Sequence, residues 1–164
     1  MTAALSILAL VTLQRLAELV IARRNTRALL AQGAYEVAPG HYPLIVAVHA
    51  AWLASLWWLA PGRPVSWLLI ELFLLLQIAR LWVLATLGPR WTTRIIILPG
   101  APLVRHGPYR FVRHPNYLIV VGEIAVLPLA FGLWQPALVF SIANALVLSL
   151  RLRAENEALR ASES

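Results

Sequence analysis

The sequence predicts an all-α membrane bundle of about five transmembrane helices in a single domain, residues 1–164, and three observations carry that prediction. Of the 164 residues, 60% are hydrophobic and 13% charged, against about 45–50% and about 25% in a soluble domain. The apolar residues fall into long blocks, as a bilayer requires, and the mean hydropathy is +0.74. The 14 basic residues, all arginine, gather beside alternate blocks.

The first block, Thr2–Ala22, has the roughly 20 residues needed to cross a hydrocarbon core of about 30 Å. It reads as a span rather than a signal peptide, because no basic segment precedes it and Gln14, Arg15 and Glu18 interrupt it. The second and third spans are Tyr42–Ala60 and Val65–Leu87. The fourth and fifth, Tyr117–Leu133 and Pro136–Leu150, are short and extend into their flanks. Arg23, Arg24 and Arg27 follow the first span. Arg90, Arg94, Arg105, Arg110 and Arg113 follow the third, and Arg151, Arg153 and Arg160 the fifth. The other connections hold only Arg63, and Gly132–Gln135 has no charge. By the positive-inside rule the N-terminus lies outside and the C-terminus in the cytoplasm. The net charge of +7 therefore reports topology rather than nucleic-acid binding. Trp52, Trp57, Trp58 and Trp67 fall near the outer face and predict an aromatic belt. The exclusive use of Arg and Glu suggests a GC-rich bacterial genome, which would place the bundle in the inner membrane.

Arg15, Glu18, Glu71, Arg80 and Glu123 lie inside spans. A charge at the bilayer centre costs about 2.5–3.5 kcal/mol on insertion scales, so such groups pair or line a cavity. Arg15 and Glu18, three residues apart, share a helix face and predict a local pair. Glu123 lies two turns beyond Asn116 on the same face, where it either lines a site or ties helices together. There are no cysteines, which excludes disulfides and a thiol nucleophile. His41 and His49 show no metal-ligand spacing and read as packing residues, so no metal is expected.

The chemistry is expected in the longest polar segment, the inner loop Gly88–Asn116. Two prolines and two glycines in Pro99–Gly107 rule out one continuous helix. Pro115 suits the first turn of the fourth helix, where a missing N–H costs nothing, and it holds His114 in extended backbone. Arg113 and His114 then sit at a helix N-terminus, which favours an anionic group. Tyr109 and Tyr117 add faces that attract cations and stack on planar rings. Such a site suits a zwitterion carrying an aromatic base. A second polar cluster, Arg151 to Glu157, ends the fifth helix, with Arg151 and Glu155 one turn apart.

Gly107-Pro108-Tyr109, then Arg113-His114-Pro115-x-Tyr117, then Arg151-x3-Glu155 after a helical hairpin, resembles the isoprenylcysteine carboxyl methyltransferase family. These are membrane enzymes that use S-adenosylmethionine. The likeness covers residues 88–159; residues 2–87 match in span count and topology alone. It implies that Leu103, Val104, Tyr109, His114, Pro115, Asn116, Tyr117 and Glu155 bind the cofactor. It further implies that Arg151 is catalytic and touches the acceptor, and it sets Arg94 where the family has another polar cofactor contact. The cofactor site would be cytoplasmic, formed by the loop before helix 4 and the end of helix 5. Small members of the family methylate lipophilic acceptors such as hydroxyls of long-chain phenols or pyrones, and the short Trp91–Pro99 linkage is similar to theirs.

The resulting expectation is methyl transfer to a carboxylate or hydroxyl oxygen of a lipophilic or lipid-modified acceptor that enters from the bilayer. Arg151 would orient a carboxylate bidentately, while a phenol would lose its proton to Glu123 or His114. A phospholipid N-methyltransferase would instead line its acceptor site with carboxylates. A transporter would carry an internal repeat and a polar path through Glu18, Glu71 and Arg80, and no repeat is visible.

Overall fold

The computed structural model describes residues 3–163, with side chains described as far as Ala158. Thr2 and the side chain of Arg160 lie outside the described residues. Five helices form the bundle: α1 (Ala3–Ala31), α2 (His41–Leu59), α3 (Trp67–Leu87), α4 (Pro115–Ala130) and α5 (Trp134–Glu163). Four are long and apolar enough to cross a membrane. Helix α4, at 16 residues, is apolar but rises only about 24 Å, less than a hydrocarbon core of about 30 Å.

The first helix outruns its apolar block. Arg23 to Ala31 contains neither glycine nor proline, so helical hydrogen bonding continues until Gly33, where φ is +91°. Helix α5 likewise runs to Glu163 through Arg, Ala and Glu, all good helix formers. Helix α4 stops three residues before the expected Leu133, because Gly132 turns at φ +68° and Leu133 N–H donates back to Pro128 O.

Helix α4 packs against both α3 and α5, and α2 packs against α5. At one end, Ser66 N–H donates to Ala130 O at 2.8 Å, so the α2–α3 and α4–α5 connections lie together. At the other end, Asn25 Nδ2 of α1 donates to Gly88 O and Trp91 O at 3.1 and 2.8 Å. The second end gathers the arginine-rich segments.

Two apolar clusters fill the bundle. Leu8, Leu56, Phe73 and Leu127 belong to one; Ala22, Val83, Trp91 and Ile119 belong to the other. Between them lies a layer of paired charge. Arg80 forks onto Glu18, with Nε and Nη2 each 2.7 Å from a carboxylate oxygen, and its Nη1 reaches Glu123 at 3.1 Å. Arg15 bridges the same two carboxylates at 3.0 and 2.8 Å. Gln77 Nε2 donates to the remaining Glu123 oxygen at 2.8 Å. The expected Arg15–Glu18 pair is thus one edge of a neutral quartet tying α1, α3 and α4 together. Glu71, by contrast, is exposed and apart from it.

The tryptophan belt needs one correction. Trp58 and Trp67 face outward, but Trp52 is buried and its indole N–H donates to Ile124 O at 3.2 Å. It is a core residue between α2 and α4, because its position in the helix turns it inward.

Candidate active site

The loop between α3 and α4 is shaped by backbone constraints that the sequence supplies. Gly88 (φ +51°) and Pro89 end α3 and open a 3₁₀ turn, Gly88–Arg90. Trp91 then buries itself at 3% exposure. A two-residue strand, β2 (Ile96–Ile97), pairs antiparallel with β1 (Tyr35–Glu36) from the α1–α2 connection, in the register Tyr35 to Ile97 and Glu36 to Ile96. A second 3₁₀ turn covers Gly107–Arg110. Gly107 is required there twice over: its φ is +58°, and a Cβ would meet Thr86 Oγ1 at 2.5 Å. Pro115 begins α4, and His114 just before it sits outside the helical region at φ −129°, ψ 66°.

This loop, the start of α4 and the end of α5 enclose a cavity of about 810 Å³. That is within the roughly 300–1,000 Å³ of small-molecule sites. Its polar floor is a chain of contacts between α4 and α5. Arg151, only 9% exposed, donates from Nε to Tyr117 Oη at 2.8 Å and from Nη1 to Thr93 O at 2.7 Å. Tyr117 Oη in turn donates to Glu155 Oε2. His114 stacks on the Tyr117 ring, centroids 5.3 Å apart, with Nε2 3.2 Å from Asn156 Oδ1 and Nδ1 3.7 Å from Glu155 Oε1. Burial, and then the Glu155 carboxylate, push the Tyr109 phenol up to about 12. Tyr109 therefore stays a neutral donor at physiological pH. Among the described residues six arginines and one carboxylate line the cavity, so its electrostatic bias is strongly positive.

The profile of the isoprenylcysteine carboxyl methyltransferase (ICMT) family matches residues 68–161. The chain belongs to the isoprenylcysteine carboxyl methyltransferase family. It is an integral membrane methyltransferase, with α3, the loop, α4 and most of α5 inside the match. It is also 40% identical over 159 residues to the uncharacterized protein YpbQ of Bacillus subtilis, covering 94% of this chain and 95% of that one. An uncharacterized protein of Haemophilus influenzae is 28% identical over 153 residues, 88% of each chain. No solved structure matches the chain.

Most of the residues that the family likeness singles out come together. Leu103, Val104, Tyr109 and His114 line the cavity from the loop. Asn116 and Tyr117 line it from α4, Arg151 and Glu155 from α5. Pro115 is buried at the first position of α4, where it shapes the backbone rather than lining the cavity. Glu123 is not brought to the cavity. It is 2% exposed, and both its oxygens are taken by Arg15, Arg80 and Gln77 in the charge quartet. Two helical turns along α4 carry it into the bundle interior, away from the loop, so the site-lining reading gives way to the structural one. Arg94 does line the cavity, but its Nη1 is held by both Glu36 oxygens at 2.9 and 2.8 Å and its guanidinium lies 4.3 Å over the Tyr42 ring.

Sequence reasoning missed Trp91, Thr92 and the Ile95–Leu98 wall. It also left Asn156 without a role, although Asn156 follows Glu155 directly and partners His114. The run of three isoleucines in a polar loop was the available signal for a wall.

Proposed function

We propose that this chain transfers a methyl group from S-adenosylmethionine to an oxygen of a lipophilic acceptor at the cytoplasmic face of a bacterial inner membrane. The observation that carries the reading is the convergence of Glu155, Tyr117, His114 and Arg151 on one cavity at the arginine-rich end of a membrane bundle.

The residues present fit the cofactor. Glu155 and Asn156 offer acceptors for hydroxyl or amino groups, and Asn116, which lines the same cavity, has an Oδ1 that is buried without a partner among the described residues. His114 and Tyr117 offer stacked rings, Leu103 and Val104 apolar walls, and the arginines a counter-charge for a carboxylate. S-adenosylmethionine, when bound, supplies a methyl group already activated on a sulfonium.

The chain's own task is then to position and desolvate the reactants. Arg151 does this at the acceptor. With Nε on Tyr117 and Nη1 on Thr93 O, its Nη2 has no protein partner among the described residues. Two of the five guanidinium N–H donors are engaged, so Nη2 and the second N–H of Nη1 are left for a single anionic oxygen or for the two oxygens of a carboxylate. A hydroxyl acceptor would pass its proton to His114, which lines the cavity, rather than to Glu123, which does not. An amine acceptor, as in a phospholipid N-methyltransferase, would meet six guanidinium groups and one carboxylate. A transporter reading loses its path, because Glu71 stands apart from the quartet and each charge of the quartet has an opposite charge beside it.

Calorimetry tests the cofactor half of this reading. The purified protein should bind S-adenosylhomocysteine at micromolar Kd, about −8 kcal/mol. His114→Ala should weaken that at least tenfold with the protein still folded, and unchanged affinity would remove His114 from the site. Orientation is tested separately. The chain has no cysteine, so single cysteines at Arg105 and Trp134 report without background. Impermeant label should reach Trp134→Cys from the periplasm and Arg105→Cys only after lysis. Labelling of both from one side refutes the topology.

A further inference from the structure

The wall of the cavity is held from outside by residues that the family match does not reach. The match begins at residue 68, yet the segment 93–97 is clamped by the α1–α2 connection. Glu36 holds Arg94 through both carboxylate oxygens at 2.9 and 2.8 Å. Tyr42 stacks beneath the same guanidinium at 4.3 Å, and its hydroxyl accepts from Thr93 Oγ1 at 3.4 Å. Val37 N–H donates to Ile95 O at 2.9 Å, continuing the β1–β2 pairing. The carbonyl of Thr93 accepts from Arg151 Nη1 at 2.7 Å. The two residues that flank the Thr93–Arg94 peptide are therefore held through their side chains by Glu36 and Tyr42, the backbone just beyond is held by Val37, and the peptide's carbonyl accepts from Arg151.

We infer that Glu36 and Tyr42 are positioning residues for methyl transfer, acting through the Thr93–Arg94 peptide to fix the guanidinium of Arg151. The inference rests on the methyl-transfer reading above and adds the N-terminal third of the chain to the reaction. The physical logic is leverage. Arg151 carries its guanidinium on a long, freely rotating stem, and one of its two protein anchors is a loop carbonyl. A loop carbonyl holds a fixed place only if its own peptide is restrained. Glu36–Arg94 supplies that restraint as one guanidinium nitrogen shared between both carboxylate oxygens, with the Tyr42 ring fixing the guanidinium from its face. The pair is 21% and 38% exposed at its side chains, so its value lies in geometry rather than in stability.

The test uses the full chain in lipid nanodiscs, with Glu36→Gln, Glu36→Asp, Arg151→Lys and the double variant Glu36→Gln/Arg151→Lys. Transfer is read as labelled methyl from S-adenosylmethionine entering a total bacterial lipid extract. Glu36→Gln should cut the rate about tenfold, a fraction of the roughly 10²-fold that a 1 Å misplacement costs, while Glu36→Asp should restore part of it. In the Arg151→Lys background, Glu36→Gln should change the rate little, because the group it positions is gone. The second readout needs no turnover. In arginine-¹⁵N spectra of the unliganded protein, Glu36→Gln should shift or broaden the Arg151 Nε–H signal, assigned by its loss in Arg151→Lys, and leave that of Arg80 in place. Fully additive effects of Glu36→Gln and Arg151→Lys, or an Arg151 signal unmoved by Glu36→Gln, overturn the inference even if the wild type is an active methyltransferase. No labelled lipid from the wild type would sink the methyl-transfer reading itself, and the positioning role with it.

Discussion

Replacing Arg151 by lysine should lower methyl transfer about 10²-fold while leaving the affinity for S-adenosylhomocysteine near wild type. The guanidinium spans two anchors on different elements, Tyr117 Oη on α4 and Thr93 O in the loop, and lies 5.7 Å from the Tyr117 ring. An ammonium keeps the charge but gathers its donors at one point, so it cannot hold both anchors and still offer a third nitrogen to an acceptor. Glu155→Gln should do the converse. It keeps the shape but removes the charge that accepts from Tyr117 and faces His114. Cofactor-product affinity should fall tenfold or more, about 1.4 kcal/mol, with the acceptor KM less affected. If Arg151→Lys abolished cofactor binding and spared the acceptor KM, the two roles would be exchanged. If both variants kept full turnover and only melted earlier, the pair would be an ordinary basic helix end.

The second large effect is on stability. Arg80→Leu should destabilise the bundle by about 3 kcal/mol or more, since removing one partner of a buried ion pair leaves charge uncompensated. Two arginines and two glutamates make the quartet neutral, and losing Arg80 leaves Glu18 and Glu123 sharing Arg15 alone. Melting in detergent should fall by about 10 °C. Arg80→Lys should fall between, because it restores charge without the fork onto Glu18. Adding Glu123→Gln to Arg80→Leu should recover part of the loss, as it removes one unpaired charge. A wild-type melting temperature for Arg80→Leu would mean that the quartet is solvated and not the keystone between the two apolar clusters.

How much of this was legible depended on whether the signal was local. The spans were, because apolar length is a local property, and so was the motif from Gly107 to Tyr117, whose glycine and proline are dictated by backbone geometry at those positions. Arg15 and Glu18 declared themselves by spacing on one helix. That Arg80 and Glu123 complete their quartet was not legible, because it depends on how three helices rotate against one another. For the same reason Glu123 read as a site candidate and Trp52 as a belt residue. The ends of α1 and α5 were underestimated because helices that leave the membrane lose the apolar pattern but keep their hydrogen bonds. Glu36 gave least warning of all, since a two-residue strand has no periodicity to read, and Tyr42 is one more apolar-flanked residue in the first turn of α2.

The most direct measurement of the central claim is transfer itself. Purified protein in nanodiscs, given S-adenosylmethionine labelled in its methyl group and a bacterial lipid extract, should move label into an organic-soluble product. Mass spectrometry of that product should find a new methyl on oxygen. Glu155→Gln, held at the same cofactor concentration, should slow the appearance of label. Label on nitrogen would hand the site to the phospholipid N-methyltransferase reading. An organic phase as empty with the wild type as with the protein omitted, alongside no heat of binding for S-adenosylhomocysteine, would contradict the account.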